Sequence, residues 1–229
     1  MLLNNLTFIV FWNLFLDRTG PLGGYELKDI LFLWGMGAAS FGLGHILFGN
    51  VRHMGEVILR GELDIYLLQP KPVLVNLAAS RTELASWGDL VFGLGILVYL
   101  SWDQPLILGL MLVFVFSGSM ITMSLLSLVQ SLTFWVGSTS GAARAFLELL
   151  ISATLYPQTL LEPQYRWILW TILPTMFISF LPLQIYRQLD WPLIPLVLGA
   201  AVVFTLLAGW VFYRGLRRYE SGNLMGTRL

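Results

Sequence analysis

The stretch GELDIYLLQPKP, Gly61–Pro72, breaks into a chain that is otherwise largely apolar. Two carboxylates, a lysine and two prolines fall within it, and the preceding VRHMGEVILR, Val51–Arg60, adds two arginines, a glutamate and a histidine. Such crowding matters because charge is scarce elsewhere. Of 229 residues, 57% are hydrophobic and 11% charged, and the mean hydropathy is +0.76. Soluble domains carry about 25% charged residues. This chain lacks the polar residues to cover a globule, so its composition predicts an all-α integral membrane protein.

Working outward from Gly61, apolar runs suggest spans at 1–16, 29–48, 85–101, 106–135, 145–161 and 192–213. Sixteen helical residues reach only about 24 Å, short of a hydrocarbon core of about 30 Å. The first span therefore reads as truncated, through a start codon set too late or as a short variant. Thirty residues at 106–135 run about 45 Å, long enough to project beyond the bilayer. The run 168–181 is too short to cross and contains Pro174, so it reads as a re-entrant segment.

Positive charge orients these spans. With 168–181 not crossing, Arg52, Arg60, Lys71, Arg81, Arg144, Arg214, Arg217, Arg218 and Arg228 share one side, and Arg18, Lys28, Arg166 and Arg187 the other. That nine-to-four split puts the first group, and both termini, in the cytoplasm. If 168–181 crossed, the split would become six to seven. Six spans follow, with Ser138 and Ser221 inside and Gly20 outside. Trp87, Trp102, Trp135, Trp191 and Trp210 fall near the expected interfaces.

The opening stretch then lies in the loop between the second and third spans. Met54, Val57, Ile58 and Ile65 follow helical spacing on one face, while Arg52, Glu56 and Arg60 recur every four residues on another. The pattern predicts an amphipathic helix over 52–66, loosened at Gly61 and stopped by Pro70 and Pro72. Two readings are open on pattern alone: an interfacial helix with snorkelling charges, or a docking element for a cytoplasmic partner.

Several chemistries are excluded. The chain has no cysteine, which removes disulfides and thiolate catalysis. It has no G-x-x-x-x-G-K-[ST] and no H-E-x-x-H, so neither P-loop hydrolysis nor that metal site is present. The opening MLLNNLTFIVFWNLFL lacks the basic start and small-residue cleavage site of a signal peptide. His45 with a nearby serine supplies the atoms of a nucleophile–base pair. However, Ser117, Ser124 and Ser131 repeat every seven residues, a spacing that reads as close helix packing, as do Gly35, Ala38, Ala39 and Gly42. Ser117, Ser124, Ser127, Gln130 and Ser131 are candidates for lining a path or for packing helices. Asp89 and Glu148 fall near cytoplasmic ends, where snorkelling is expected. No chain of carboxylates suggests a proton relay, and no inverted repeat suggests a secondary transporter.

Four stretches carry a resemblance: GPLGGY (Gly20–Tyr25), ILRGELDIYLLQPKPV (Ile58–Val73), LTFWVGSTSGAARAFLELLISATLYP (Leu132–Pro157) and GLRRYESGN (Gly215–Asn223). They resemble, in order and over nearly the whole chain, the permease subunits of bacterial type-2 ABC exporters. Family members usually open with a cytoplasmic amphipathic helix and a full first span, which this chain departs from. The resemblance implies six spans per permease, a second copy or paralogous permease, and two separate ABC ATPase subunits, in the bacterial inner membrane. It implies a coupling helix in the loop, so that Arg52, His53, Glu56, Arg60, Glu62 and Asp64 face the ATPase. ATP and Mg would sit in that ATPase, with no cofactor or metal in this chain and membrane lipids around it; nothing in the sequence points to nucleic acid. The permease would not itself be an enzyme. The substrate is unidentified: low charge in the spans suggests something lipid-like or amphiphilic, but the family spans too much chemistry to choose. A membrane anchor for a cytoplasmic complex, transporting nothing, is the alternative.

Overall fold

A computed structural model describes residues 2–220. Apolar sequence folds into α1 (Leu2–Thr19), α2 (Leu27–Phe48), α6 (Ser86–Ser101), α7 (Pro105–Ser131), α9 (Ser140–Leu155) and α11 (Ile194–Leu216). Shorter helices interleave with them: α3 (Met54–Leu59), α4 (Asp64–Leu67), α5 (Val73–Ala78), α8 (Thr133–Val136) and α10 (Leu181–Gln188). Among the described residues, three stretches are long and apolar enough to cross a membrane, Leu27–Leu59, Pro105–Val136 and Trp191–Leu216, while Ser86–Ser101 is apolar but shorter.

Small residues set the tightest contact. A Cβ on Gly42 would lie 2.5 Å from the Leu90 backbone nitrogen and 2.8 Å from the Ser86 carbonyl, so α2 and α6 touch backbone to backbone. Gly35 meets Gly93 and Ile96 further along, which makes the pair antiparallel. α2 and α7 run parallel, with Gly118 against Ser40 and Gly44 against Ser119 and Met123. α11 follows α7 in the same direction, through Ser124–Thr205 and Phe134–Phe212. α9 starts beside Gln130, ends at Gly37 and so runs the other way. α1 does too, pairing Asn5 with Asp89 and Phe8 with Trp34. The bundle has a loop end, carrying residues 49–80, and a clamp end, where α2, α7 and α11 begin.

The chain between α9 and α11 leaves the clamp end and returns to it. Thr159 packs on Gly23, and Arg187 bonds Gly24 and Asp29. Between them, the π-helical turn Met176–Phe180 dips to Gly118 and ties Ser179 to the Thr154 carbonyl at 3.1 Å. The segment expected at 168–181 is thus built from a 3-10 stretch, Pro163–Trp170, then the π turn and α10.

Two boundaries differ from the sequence expectation. The fifth apolar helix spans 140–155 rather than 145–161, because Pro157 forces Tyr156 into extended backbone (φ −96°, ψ 142°). The helix expected at 52–66 is split into a 3-10 turn, Gly49–His53, followed by α3 and α4. Gly61, at φ +71°, takes the left-handed conformation that ends α3. That break resets the helical phase. Leu63 is buried in place of Ile65, which is 63% exposed. Ser221 and Arg228 lie outside the described residues.

Candidate functional site

The loop end is a layer, not a dangling connection. Met54, Val57, Ile58 and Leu63 pack with Leu77 and with Phe212 of α11, and Phe134, Leu216 and Tyr219 close the cluster. Asn50 Nδ2 donates to the Leu77 carbonyl (3.0 Å) and to Ser80 Oγ (2.7 Å), joining the two ends of the loop. An apolar underside thus seats the loop on the bundle, and the hydrophobic effect holds it there.

Its opposite face carries the charge. Arg52, Glu56, Arg60 and Glu62 are exposed, while His53 and Asp64 are half-buried. Arg60 lies 3.7 Å from Glu56 and 4.0 Å from Glu62, and Arg52 lies 3.8 Å from Glu83. These are long, wet ion pairs, the two of Arg60 between near neighbours, each worth no more than about 1 kcal/mol. Around them stand apolar side chains without cover, with Leu68 87% exposed. Lys71 is exposed beside them. Loosely paired charge thus stands next to bare hydrophobic surface.

One polar knot joins this layer to the long helices. Gln130 Nε2 donates to the Arg52 carbonyl at 2.6 Å, and Gln130 Oε1 accepts from Thr139 Oγ1 at 3.3 Å. Thr139 in turn lies 2.6 Å from Thr133 Oγ1. Gly55 leaves the room, since a Cβ there would lie 2.5 Å from Gln130 Oε1. Gln130 is therefore a bridge between loop, α7 and α9. Two serines of the stripe bond within their own helix, and one reaches across to α11. Ser117 bonds the Val113 carbonyl, Ser131 bonds the Ser127 carbonyl, and Ser124 reaches Thr205 of α11. Ser117, Ser124, Ser127 and Ser131 are all buried. His45 Nδ1 lies 2.9 Å from the Phe41 carbonyl in its own helix, and among the described residues no serine hydroxyl bonds it.

Two carboxylates were misread from sequence or missed. Asp89 does not snorkel: it is 8% exposed and accepts from Asn5 Nδ2 at 3.1 Å. Asp29 takes a bidentate grip from Arg187 at 2.7 and 2.6 Å, and its Oδ2 also accepts from the Glu26 amide. Arg187 further donates to the Gly24 carbonyl and covers the Tyr25 ring. Burial pushes the Tyr25 hydroxyl above the usual tyrosine range. Glu148 is exposed and paired with Arg144 one helical turn away.

A bundle of apolar helices, with a charged loop seated at one end, has the make-up of a membrane-embedded protein. The family described as "ABC-2 family transporter protein" matches residues 2–223, and the chain belongs to that family. Among curated proteins and solved structures, nothing matches. Membership makes the chain the transmembrane transport component of an ABC transporter, a class that associates with ABC ATPase subunits and is not itself catalytic.

Proposed function

We propose that this chain is the permease half of an ATP-driven exporter and that the loop-end layer is where its ATPase docks. The carrying observation is the two-faced loop: an apolar underside fixed to α7 and α11, and a face of exposed, loosely paired charge. Arg52, His53, Glu56, Arg60, Glu62 and Asp64 meet the ATPase. Gln130 carries its movement into α7 and α9. α1, α2, α6, α7, α9 and α11 are six spans, and the 168–181 segment is re-entrant. The loop end is cytoplasmic, at the bacterial inner membrane. Arg52, Arg60, Lys71, Arg81, Arg144, Arg214, Arg217 and Arg218 gather there, against Arg18, Lys28, Arg166 and Arg187 at the clamp end. ATP and Mg bind in the partner, whose closure biases the permease through differential contact with its two states. A second copy or a paralogue completes the path.

Arg60→Glu tests this directly, since it sets a third acid between Glu56 and Glu62 and turns attraction into repulsion at a desolvated contact. Such a reversal costs several kcal/mol. Arg60→Glu and Glu56→Arg should remove most of the ATPase that co-purifies with the permease and leave membrane abundance unchanged. Arg18→Glu, at the clamp end, is the control; Arg218 is not, because it lies over Trp135 beside the same layer. Unchanged co-purification in both loop variants would leave the loop an interfacial helix.

A further inference from the structure

A cavity of about 290 Å³ lies between α1, α2, α6, α7 and α9, near the lower end of small-molecule sites. Phe8, Trp34, Phe41, Leu150 and Leu155 make most of its wall, and Gly37 and Ala38 form part of its α2 side. At the end of the cavity nearer the loop sits Asp89, held by Asn5. Among the described residues, no lysine, arginine or histidine pairs with this carboxylate. That sets it apart from Asp29, which has its arginine. A carboxylate withdrawn from water without a cation is costly, and within a membrane bundle such a group marks a site.

Phe8 and Tyr156 also line a second groove, of about 450 Å³, whose wall includes Phe11, Trp12, Phe15 and Leu160. α1 rises about 15 Å from Asn5 to Phe15. The path that cavity and groove outline has a carboxylate without a lysine, arginine or histidine partner among the described residues at the loop end, and an aromatic, apolar run toward the clamp end. Trp12 and Tyr156, with ring centroids 6.1 Å apart, bridge α1 and the end of α9 along it.

We propose that this path binds an amphiphile with a cationic head, an alkylammonium or alkylguanidinium, its head on Asp89 and its chain along α1 toward Phe15. The assignment rests on the permease reading and names the ligand class of that permease. Charge complementarity selects the head: an anionic head would meet repulsion at Asp89, and a neutral one would gain nothing from it.

The test uses the full-length permease with its ATPase in nanodiscs of zwitterionic lipid. Three photoactivatable dodecyl probes are compared, bearing trimethylammonium, sulfate or hydroxyl heads. The ammonium probe should label peptides containing Phe8, Trp34 or Leu150–Leu155, and excess dodecyltrimethylammonium should compete it away. Asp89→Asn should cut that labelling about tenfold, the loss of one good charge contact. Ala38→Phe, which fills the cavity and leaves the carboxylate alone, should cut it too, and decides the matter should Asp89→Asn fail to insert. Equal labelling by all three heads would reduce the path to an acyl groove and overturn the proposal, as would labelling indifferent to both substitutions. ATPase retention, read in the same samples, separates the two claims. A wild-type permease that holds its ATPase yet takes no ammonium label sinks only the ligand class, whereas a wild-type permease that never holds an ATPase sinks the permease reading.

Discussion

The two ends of the bundle treat charge in opposite ways. At the clamp end, Asp29 and Arg187 form one short bidentate pair that joins α2 to α10 across 158 residues of chain, with Asp29 only 10% exposed. At the loop end, Arg60 is 67% exposed and shares two long contacts with acids of its own loop. A pair that is short, part-buried and distant in sequence holds the fold together. Pairs that are long, wet and local cost little to exchange, so a partner can take them over. The first arrangement is structural, and the second is available for binding.

Stability measurements should break or sharpen this contrast. Arg187→Ala leaves Asp29 part-buried without its cation and frees α10 from the 23–29 turn. Removing one partner of a fully buried pair costs about 3–5 kcal/mol. The partial exposure of Arg187 sets the expectation at the lower limit, about 3 kcal/mol, read as a fall in the unfolding midpoint of the purified permease. Gln130→Leu comes next. It takes the Gln130 donor from the Arg52 carbonyl, a loss of about 1–3 kcal/mol for a buried acceptor, while the Thr139 hydroxyl keeps Thr133. Uncoupling of ATPase stimulation should accompany that loss, because the variant cuts the bridge between loop and spans. Arg60→Glu should lie within about 0.5 kcal/mol of wild type, as exposed substitutions do. A larger stability loss for Arg60→Glu than for Arg187→Ala would invert the comparison.

What the sequence revealed follows the range of the interactions involved. The apolar run expected at 29–48 is α2 at Leu27–Phe48, since hydrophobic content is written locally. The Glu56–Arg60 pairing was legible for the same reason, being one helical turn apart. Register beyond Gly61 was not, because a left-handed residue shifts every later side chain to another face; hence Leu63 is buried and Ile65 bare. Asp89 looked like a snorkelling charge because its partner, Asn5, stands 84 residues away. Nothing local betrays Asp29–Arg187 either. Gln130 stood out only as a polar residue deep in an apolar run, which is enough to flag a residue but not to choose between path and bridge.

Sidedness and docking are joined in one claim: the layer around Gly61–Pro72 is cytoplasmic and touches the ATPase, while the Gly20–Tyr25 turn is outside and does not. The chain has no cysteine, so single cysteines can be placed freely. Leu68→Cys, Ser138→Cys and Gly20→Cys permeases, co-expressed with the ATPase, would be treated in intact cells with an impermeant thiol reagent and, after purification, with a short thiol-to-amine crosslinker. The account predicts that position 20 reacts from outside and never links to the ATPase, that positions 68 and 138 are shielded, and that position 68 links to it. Labelling of position 68 from outside, or an ATPase that co-purifies yet crosslinks at position 20 and not at 68, would contradict it.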